Sequence, residues 1–198
     1  MQFRLSVLLL SCLSLLLMNC EKKGEVHQTD FTRADSLTDL YLSLQDSMLQ
    51  SWNIMINDDN QKIKAMHNLL HELMATSSNN DLHGYEEQLG HLIVLRYNQQ
   101  SMANEDLIEE YDFASNVLVT ELISLAESKR QFAYNTTLQK LVEEIRIADQ
   151  RVNFYREDYD AITSKYNSFL QNNRSYLIEI SQKDSLQLKP LFQMTYEE

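Results

Sequence analysis

The stretch that decides the fold is residues 138–170, LQKLVEEIRIADQRVNFYREDYDAITSKYNSFL. Its apolar residues recur at alternating spacings of three and four, at Leu138, Leu141, Ile145, Ala148, Val152, Tyr155, Tyr159, Ile162, Tyr166 and Phe169. A seven-residue repeat of this length keeps one narrow stripe of a helix against its neighbours, as in coiled coils and helix bundles. The stretch predicts a long bundle helix and does not by itself predict an active site.

A long amphipathic helix is also predicted near the start of the chain. It begins at Asp35-Ser36, either of which could cap it, and ends at about Thr76. Asn57 to Gln61 is wholly polar, and Asp59 occupies a slot where the apolar stripe expects an apolar residue. This segment indicates either a kink or break, or a polar patch that is buried or faces solvent.

Two shorter helices are predicted between the long ones. One covers about Asp81 to Ser101 and is weakened by Gly84 and Gly90, each of which costs up to about 1 kcal/mol relative to Ala. The next begins after Asn104, a suitable cap, and acidic residues fill its first turns. The last helix is expected from near Asn135 to about Asn172.

Composition favours the same fold class. The chain of 198 residues has 3 Gly and 1 Pro, which leaves little room for the turns of a β-sheet protein. Four helices with short connections bury their stripes most simply as an all-α, antiparallel up-down four-helix bundle with long first and last helices, over residues 35–180. Residues 181–198 would form a C-terminal tail. The net charge of -12 argues against nucleic acid as a partner.

The N-terminus resembles a lipoprotein signal peptide. Arg4 precedes an apolar run from Leu5 to Met18, which is shorter than the roughly 20 residues of a membrane span and ends in Leu17-Met18-Asn19-Cys20. Cleavage after residue 19 would leave Cys20 as the lipidated first residue, followed by a flexible tether over 20–34. The alternative is an uncleaved, short hydrophobic anchor. Because Cys12 lies in the removed segment, the mature domain would carry no thiol chemistry.

The heptad stretch also resembles the LemA family of bacterial envelope proteins. The match runs in register through Glu127, Leu138, Leu141, Ile145, Asp149, Val152, Arg156, Tyr159-Asp160, Tyr166-Asn167 and Leu170. A second, weaker match upstream joins Trp52 to Asn68-Leu69-Leu70. The sequence departs from the family pattern at four places, which are Gln61-Lys62, His67, Asp160 and Asn173-Arg174. The resemblance implies a membrane-attached, antiparallel helical bundle with no agreed enzymatic activity, so it supplies no catalytic residues.

Two sets of residues are candidates for a site. His67 and His71 lie four apart and could hold a divalent metal, although the zinc-protease pattern needs a Glu where this chain has Asn68. Tyr176, Leu177 and Ile178 form an apolar run beyond the heptad stripe, expected near Met102 to Asp106 at one pole of the bundle. This run could bind a partner or pack back onto the bundle.

The expected function is therefore a non-catalytic lipoprotein of the cell envelope, facing the periplasm or the cell surface. It would be anchored to the membrane through Cys20, without a cofactor, and would dock or scaffold an envelope protein whose identity the sequence does not reveal. The alternative is an envelope protein that binds a metal or a small ligand through His67 and His71.

Overall fold

The computed structural model describes residues 32–76, 82–180 and 186–192, and within these ranges the chain is helical with no strand. The helices are α1 (Arg33–Thr76), α2 (His83–Val94), α3 (Glu105–Ser128) and α4 (Thr136–Ile180), with short 3-10 turns at Ser101–Ala103 and Arg130–Ala133. The chain divides into two compact units, Met1–Ser36 and Leu37–Glu198. The all-α helical bundle is confirmed, and it belongs to the second unit. None of the helices in the described ranges is long and apolar enough to cross a membrane.

Helix α1 begins earlier than predicted because Thr32 caps it. The Thr32 hydroxyl accepts the Asp35 backbone N–H at 3.2 Å, and the Asp35 carboxylate accepts the Thr32 backbone N–H at 2.8 Å. This is a capping box with Asp at its third helical position. The Thr32 hydroxyl also donates to the Asp35 carboxylate at 2.7 Å. That hydrogen bond first, and then the one from the Thr32 backbone N–H, lowers the pKa of Asp35. The expectation that Asp35 or Ser36 is the cap was wrong, and the Thr-x-x-Asp spacing was the signal for the true one.

The polar segment Asn57 to Gln61 does not interrupt α1, which is continuous to Thr76. Asp58 is buried and Asp59 is half-buried, and both are bonded to side chains from other parts of the bundle. Of the alternatives left open by the sequence, the kink or break was wrong and the buried polar patch is what forms.

Helix α2 is shorter than predicted and ends at Val94 rather than near Ser101. The reason lies in Asn98, whose side-chain oxygen accepts the backbone N–H groups of Gln100 at 2.9 Å and Ser101 at 3.0 Å. An Asn side chain that bonds the backbone ahead of it forms a turn that competes with the helix. The segment after α2 therefore becomes a loop.

The two remaining helix starts fall where the sequence placed them. Asn104 occupies the cap position of α3 but makes no side-chain cap hydrogen bond, whereas the Asn135 side chain accepts the N–H groups of Thr137 at 3.0 Å and Leu138 at 3.1 Å. Helix α4 continues past the predicted end at Asn172. Its backbone is non-helical at Asn173, where the side chain donates to the Phe169 carbonyl at 2.9 Å and a kink results.

Contacts between α1 and α4 pair residues in opposite order along the chain. Tyr41 stacks on Tyr166 with ring centroids 6.0 Å apart, Trp52 meets the edge of Tyr159 at 5.5 Å, and Glu72 accepts a hydrogen bond from Asn135 at 3.1 Å. The residue number rises on α1 as it falls on α4, so this pair of helices is antiparallel.

The apolar core has two parts. The first, called here the Met66 cluster, is built from residues of all four helices, including Met66, Leu69, Leu73, Leu89, Leu92, Leu118, Leu122, Leu138 and Ile145. The second, the Trp52 cluster, consists of Tyr41, Met48, Trp52, Met55, Met102, Tyr159, Tyr166, Leu170, Leu177 and Leu186. All ten seam positions of the heptad stretch are buried or half-buried, which confirms that stripe. Fully burying each large side chain stabilises the fold by about 1.5–3 kcal/mol.

Residues Leu186–Phe192 form a segment of irregular backbone that lies along α4 and is called here the strap. The Asn167 side chain bonds the Lys189 backbone and Asp160 bonds the Phe192 backbone, so the strap also runs opposite to α4. Part of the predicted C-terminal tail is thus packed onto the bundle.

Candidate functional site

Between the two apolar clusters lies a layer of charged side chains in which four ion pairs join different parts of the bundle. The pairs are Lys62 with Asp149, Arg96 with Asp59, Arg151 with Asp58, and Arg156 with Asp112. We call these eight residues the charged layer. The spacing of 58, 59 and 62 places all three α1 members toward the interior because side chains three and four apart share a helix face.

Arg156 is the most extensively bonded member of the layer. Its guanidinium holds both carboxylate oxygens of Asp112, at 2.6 and 2.7 Å, and donates to the Tyr97 hydroxyl at 3.0 Å. The side chain is 6% exposed. Burial alone would lower the pKa of Arg156, but the hydrogen bonds and charge of Asp112, together with Tyr97, outweigh it and raise that pKa. Arg156 is a fixed cation whose planar donors match a carboxylate.

Asp59 on α1 is linked through its carboxylate to α3 and to the loop after α2. It accepts the Tyr111 hydroxyl at 2.6 Å and pairs with Arg96 at 2.9 Å, while Arg96 also donates to the Asn60 side chain at 2.7 Å. Burial first, and then the negative charge of Asp59, raises the pKa of Tyr111. Tyr111 therefore stays a neutral donor, and the loop after α2 is tied to α1.

Asp58 is the least favourable charge in the layer. Its short hydrogen bond to Arg151 and the nearby Lys62 ammonium both favour the ionised form. Desolvation is nevertheless the larger effect, and it raises the pKa of Asp58 above its usual value. The Asp58 side chain is 10% exposed and that of its partner Arg151 is 43% exposed. Arg151 therefore stays partly hydrated, whereas Asp58 loses most of its water.

Lys62 lies at the edge of a polar cavity of about 190 Å³. Its ammonium is 3% exposed, donates to the Ser115 hydroxyl at 3.0 Å and lies 3.4 Å from Asp149. A Ser beside a Lys invites comparison with a nucleophile and its base. Here the bond runs the other way, because the ammonium donates to the hydroxyl and is paired with a carboxylate. This arrangement fixes both side chains and leaves no lone pair to accept the hydroxyl proton.

A second feature is an apolar groove of about 630 Å³ between α2 and α3. Phe113, which is 74% exposed, and Val117 lie one helical turn apart on its α3 side. Glu87, His91 and Glu110 also line the groove. A large exposed aromatic side chain next to a polar rim is typical of a surface that meets another protein.

The histidines predicted as candidate ligands are placed separately from the charged layer. The two predicted candidates, His67 and His71, are exposed on α1. Of the other histidines in the described residues, His83 bonds Glu86 at 3.0 Å and His91 lines the α2–α3 groove. In residues 32–76, 82–180 and 186–192, no group of three or more His, Cys, Asp and Glu side chains is close enough to hold a metal ion. Cys20, the predicted lipidation residue, lies outside the described residues.

The predicted partner run is divided between core and surface. Leu177 is 1% exposed and belongs to the Trp52 cluster, Tyr176 is half-buried, and Ile178 is 42% exposed. Met102, from the loop before α3, belongs to the same cluster. Leu177 is therefore core, as in the alternative in which the run packs back onto the bundle, whereas solvent reaches part of Tyr176 and more of Ile178.

Sequence reasoning missed most of the charged layer, although a signal for it existed. Asp59 was noted as out of place in an apolar stripe. Asp112 and Arg156 gave no such signal, because each lies one residue beyond an apolar position, Tyr111 on α3 and Tyr155 on α4. Comparison of the chain with family models, with curated proteins and with solved structures found no match.

Proposed function

We propose that this chain is a non-catalytic docking or scaffold module of the cell envelope, held at the membrane by a lipid on Cys20. The lipoprotein-like N-terminus and the resemblance to the LemA family support the location. The α2–α3 groove supports docking, and the exposed Phe113 ring is the single observation that carries this part of the proposal. Aromatic side chains are common energetic anchors of protein interfaces.

A non-catalytic role is favoured by the way the charged layer is used. Each of its aspartates accepts from a cation on another segment, so the charges hold helices to one another. General acid–base or nucleophilic catalysis needs a group that can exchange a proton with a substrate. The two terminal guanidinium nitrogens of Arg156 donate to Asp112 and Tyr97, so these donors are already used within the protein.

The test uses a photo-crosslinking amino acid at position 113 in cells that make the native protein. A matched control carries it at Glu143, an exposed position on α4 away from the groove. We expect a discrete crosslinked protein from position 113 and none from position 143, and we expect Cys20→Ala to abolish both acyl labelling and that crosslink. Identical products from both positions would remove the groove as the docking surface, and unchanged acyl labelling of Cys20→Ala would remove the anchor.

Binding of a small ligand is the second candidate, and the polar cavity beside Lys62 is the observation that favours it. Its lining holds both signs of charge, from Lys62, Arg156, Asp112 and Asp149. Such a lining suits a small zwitterion, whose carboxylate and ammonium could each find a partner. Equilibrium dialysis against labelled amino acids tests this candidate, with Ser115→Val as the variant that should lose binding. Equal retention of the labelled amino acid by both proteins would rule out this cavity as the binding site.

The further possibility of a metal on His67 and His71 is tested by metal analysis of untagged protein.

A further inference from the structure

Three hydrogen bonds join the strap to α4, and all three use backbone atoms of the strap. The Asn167 side-chain amide donates to the Lys189 carbonyl and accepts the Lys189 N–H, both at 2.8 Å. The Asp160 carboxylate accepts the Phe192 N–H at 2.9 Å. These groups recognise main-chain atoms, which every peptide has, and Pro190 between them has no N–H to satisfy.

The spacing of these contacts requires an extended segment. Asn167 and Asp160 lie seven residues apart on α4, which is about 10.5 Å along the helix axis. Their strap partners, Lys189 and Phe192, are only three residues apart, and three residues cover about 10 Å when nearly fully extended. Only an extended peptide can therefore place both of its backbone groups opposite Asn167 and Asp160.

Side-chain recognition is concentrated at the two ends of the strap. The Phe192 ring lies 4.9 Å from the Arg156 guanidinium and meets the rings of Tyr97 and Tyr159 edge-on, both at 5.7 Å. At the other end Leu186 is 5% exposed and belongs to the Trp52 cluster. The other six residues of the strap are exposed or half-buried.

We propose that the surface formed by Arg156, Tyr159, Asp160 and Asn167 of α4, with Tyr97, is a peptide-docking groove that the strap occupies in this chain. Its partner would carry an extended segment with an apolar residue and an aromatic residue six positions later. Backbone hydrogen bonds supply affinity in this mode of recognition, and the two end pockets supply specificity.

This inference rests on the proposed docking function but uses a different surface from the α2–α3 groove. A tethered occupant has an effective concentration of about millimolar, so the strap suppresses binding of a free peptide without needing high intrinsic affinity. A partner must displace it. Weakening the strap while leaving the groove intact should therefore expose the docking activity.

The experiment uses the full chain with Phe192→Ala and a fluorescein-labelled peptide of sequence LQLKPLF, followed by fluorescence anisotropy. The substitution removes the ring from Arg156 but leaves Asn167 and Asp160 unchanged. We expect the peptide to bind this variant about tenfold more tightly than the parent, since the ring contacts hold the tethered strap. The matched control is Leu188→Ala, at a strap position that is 48% exposed, and it should behave like the parent.

Two further measurements decide the outcome. Adding Asn167→Ala to Phe192→Ala should abolish peptide binding at an unchanged circular dichroism spectrum, and a peptide with both end residues replaced by Ala should not bind. Should Phe192→Ala unfold, Phe192→Leu keeps an apolar anchor and must still bind more tightly than the parent. Equal binding by the parent and the folded Phe192 variant overturns the groove. Because peptide binding and crosslinking at position 113 use different surfaces, either can fail while the other stands.

Discussion

Neutralising Asp112 should destabilise the bundle far more than neutralising an exposed acid, because it leaves Arg156 buried without its counterion. The Arg156 side chain is 6% exposed and Asp112 is 33% exposed. Removing one partner of a fully buried pair costs about 3–5 kcal/mol. Since water reaches part of Asp112, we expect Asp112→Asn to lower the free energy of unfolding by about 2–3 kcal/mol.

The reverse substitution should cost less. Arg156→Met leaves a carboxylate that is one third exposed and can hydrate, so we expect a loss of about 1–2 kcal/mol, mostly from lost hydrogen bonds and packing. The double variant should lose less than the sum of the two. The difference, a coupling energy of about 1–2 kcal/mol, measures the pair itself.

The assay is urea unfolding, followed by far-ultraviolet circular dichroism and by fluorescence of Trp52, the single Trp of the chain. Glu127→Gln is the matched control, since Glu127 pairs with Arg146 between the same two helices but both side chains are at least 40% exposed. That control should cost less than about 1 kcal/mol. If Asp112→Asn costs no more than Glu127→Gln, or if the double variant shows simple additivity, the reasoning about the charged layer is refuted.

Three other substitutions test separate features. Gly90→Ala should raise the free energy of unfolding by about 0.5–1 kcal/mol, because a Cβ there meets no atom within 4 Å, and an unchanged or lower urea midpoint would contradict this. Because the pKa of Asp58 is raised above 3.8 in the folded state, this carboxylate takes up a proton at a higher pH when the protein is folded than when it is unfolded. Proton uptake therefore stabilises the folded state as the pH falls, and the melting temperature of the parent should rise relative to that of Asp58→Asn between pH 7 and pH 4. A difference in melting temperature that moved the other way would be inconsistent with the burial of that charge. Leu177→Asp should cost several kcal/mol by placing a charge in the core, whereas Ile178→Asp should leave the melting temperature nearly unchanged, and equal melting of the two would show that Leu177 is not core.

The parts of the fold that sequence predicted well are those decided by helical periodicity. The stripe from Leu138 to Phe169 repeats for long enough that no competing pattern fits, and its positions are buried or half-buried. Helix α2 was overextended because its apolar spacing continues past Val94, while the Asn98 side chain redirects the backbone through local hydrogen bonds. The spacing of apolar residues does not show that a side chain competes with the helix for backbone hydrogen bonds.

The strap could not be predicted because nothing in its own residues announces where it binds. The strap has no sustained periodicity. Its partners on α4, Asn167 and Asp160, each lie next to a residue of the apolar stripe, where a polar residue is expected whether or not it binds anything. The charged layer was only partly visible for a related reason. A charge in an apolar slot shows that something is buried there, but its partner is fixed by the packing of another helix.

The charged layer and the strap are physically connected through Arg156. The Arg156 guanidinium binds the Asp112 carboxylate, and its central carbon also lies 4.9 Å from the centre of the Phe192 ring. Sliding α4 by one turn, about 5.4 Å, would break its pairs with Asp58, Lys62 and Asp112 together, so the layer fixes the register of α4 against α1 and α3. The same register positions Arg156, Asp160 and Asn167 along one line of α4. A docking groove that reads backbone atoms needs acceptors held this firmly, and the ion pairs beneath it supply that rigidity.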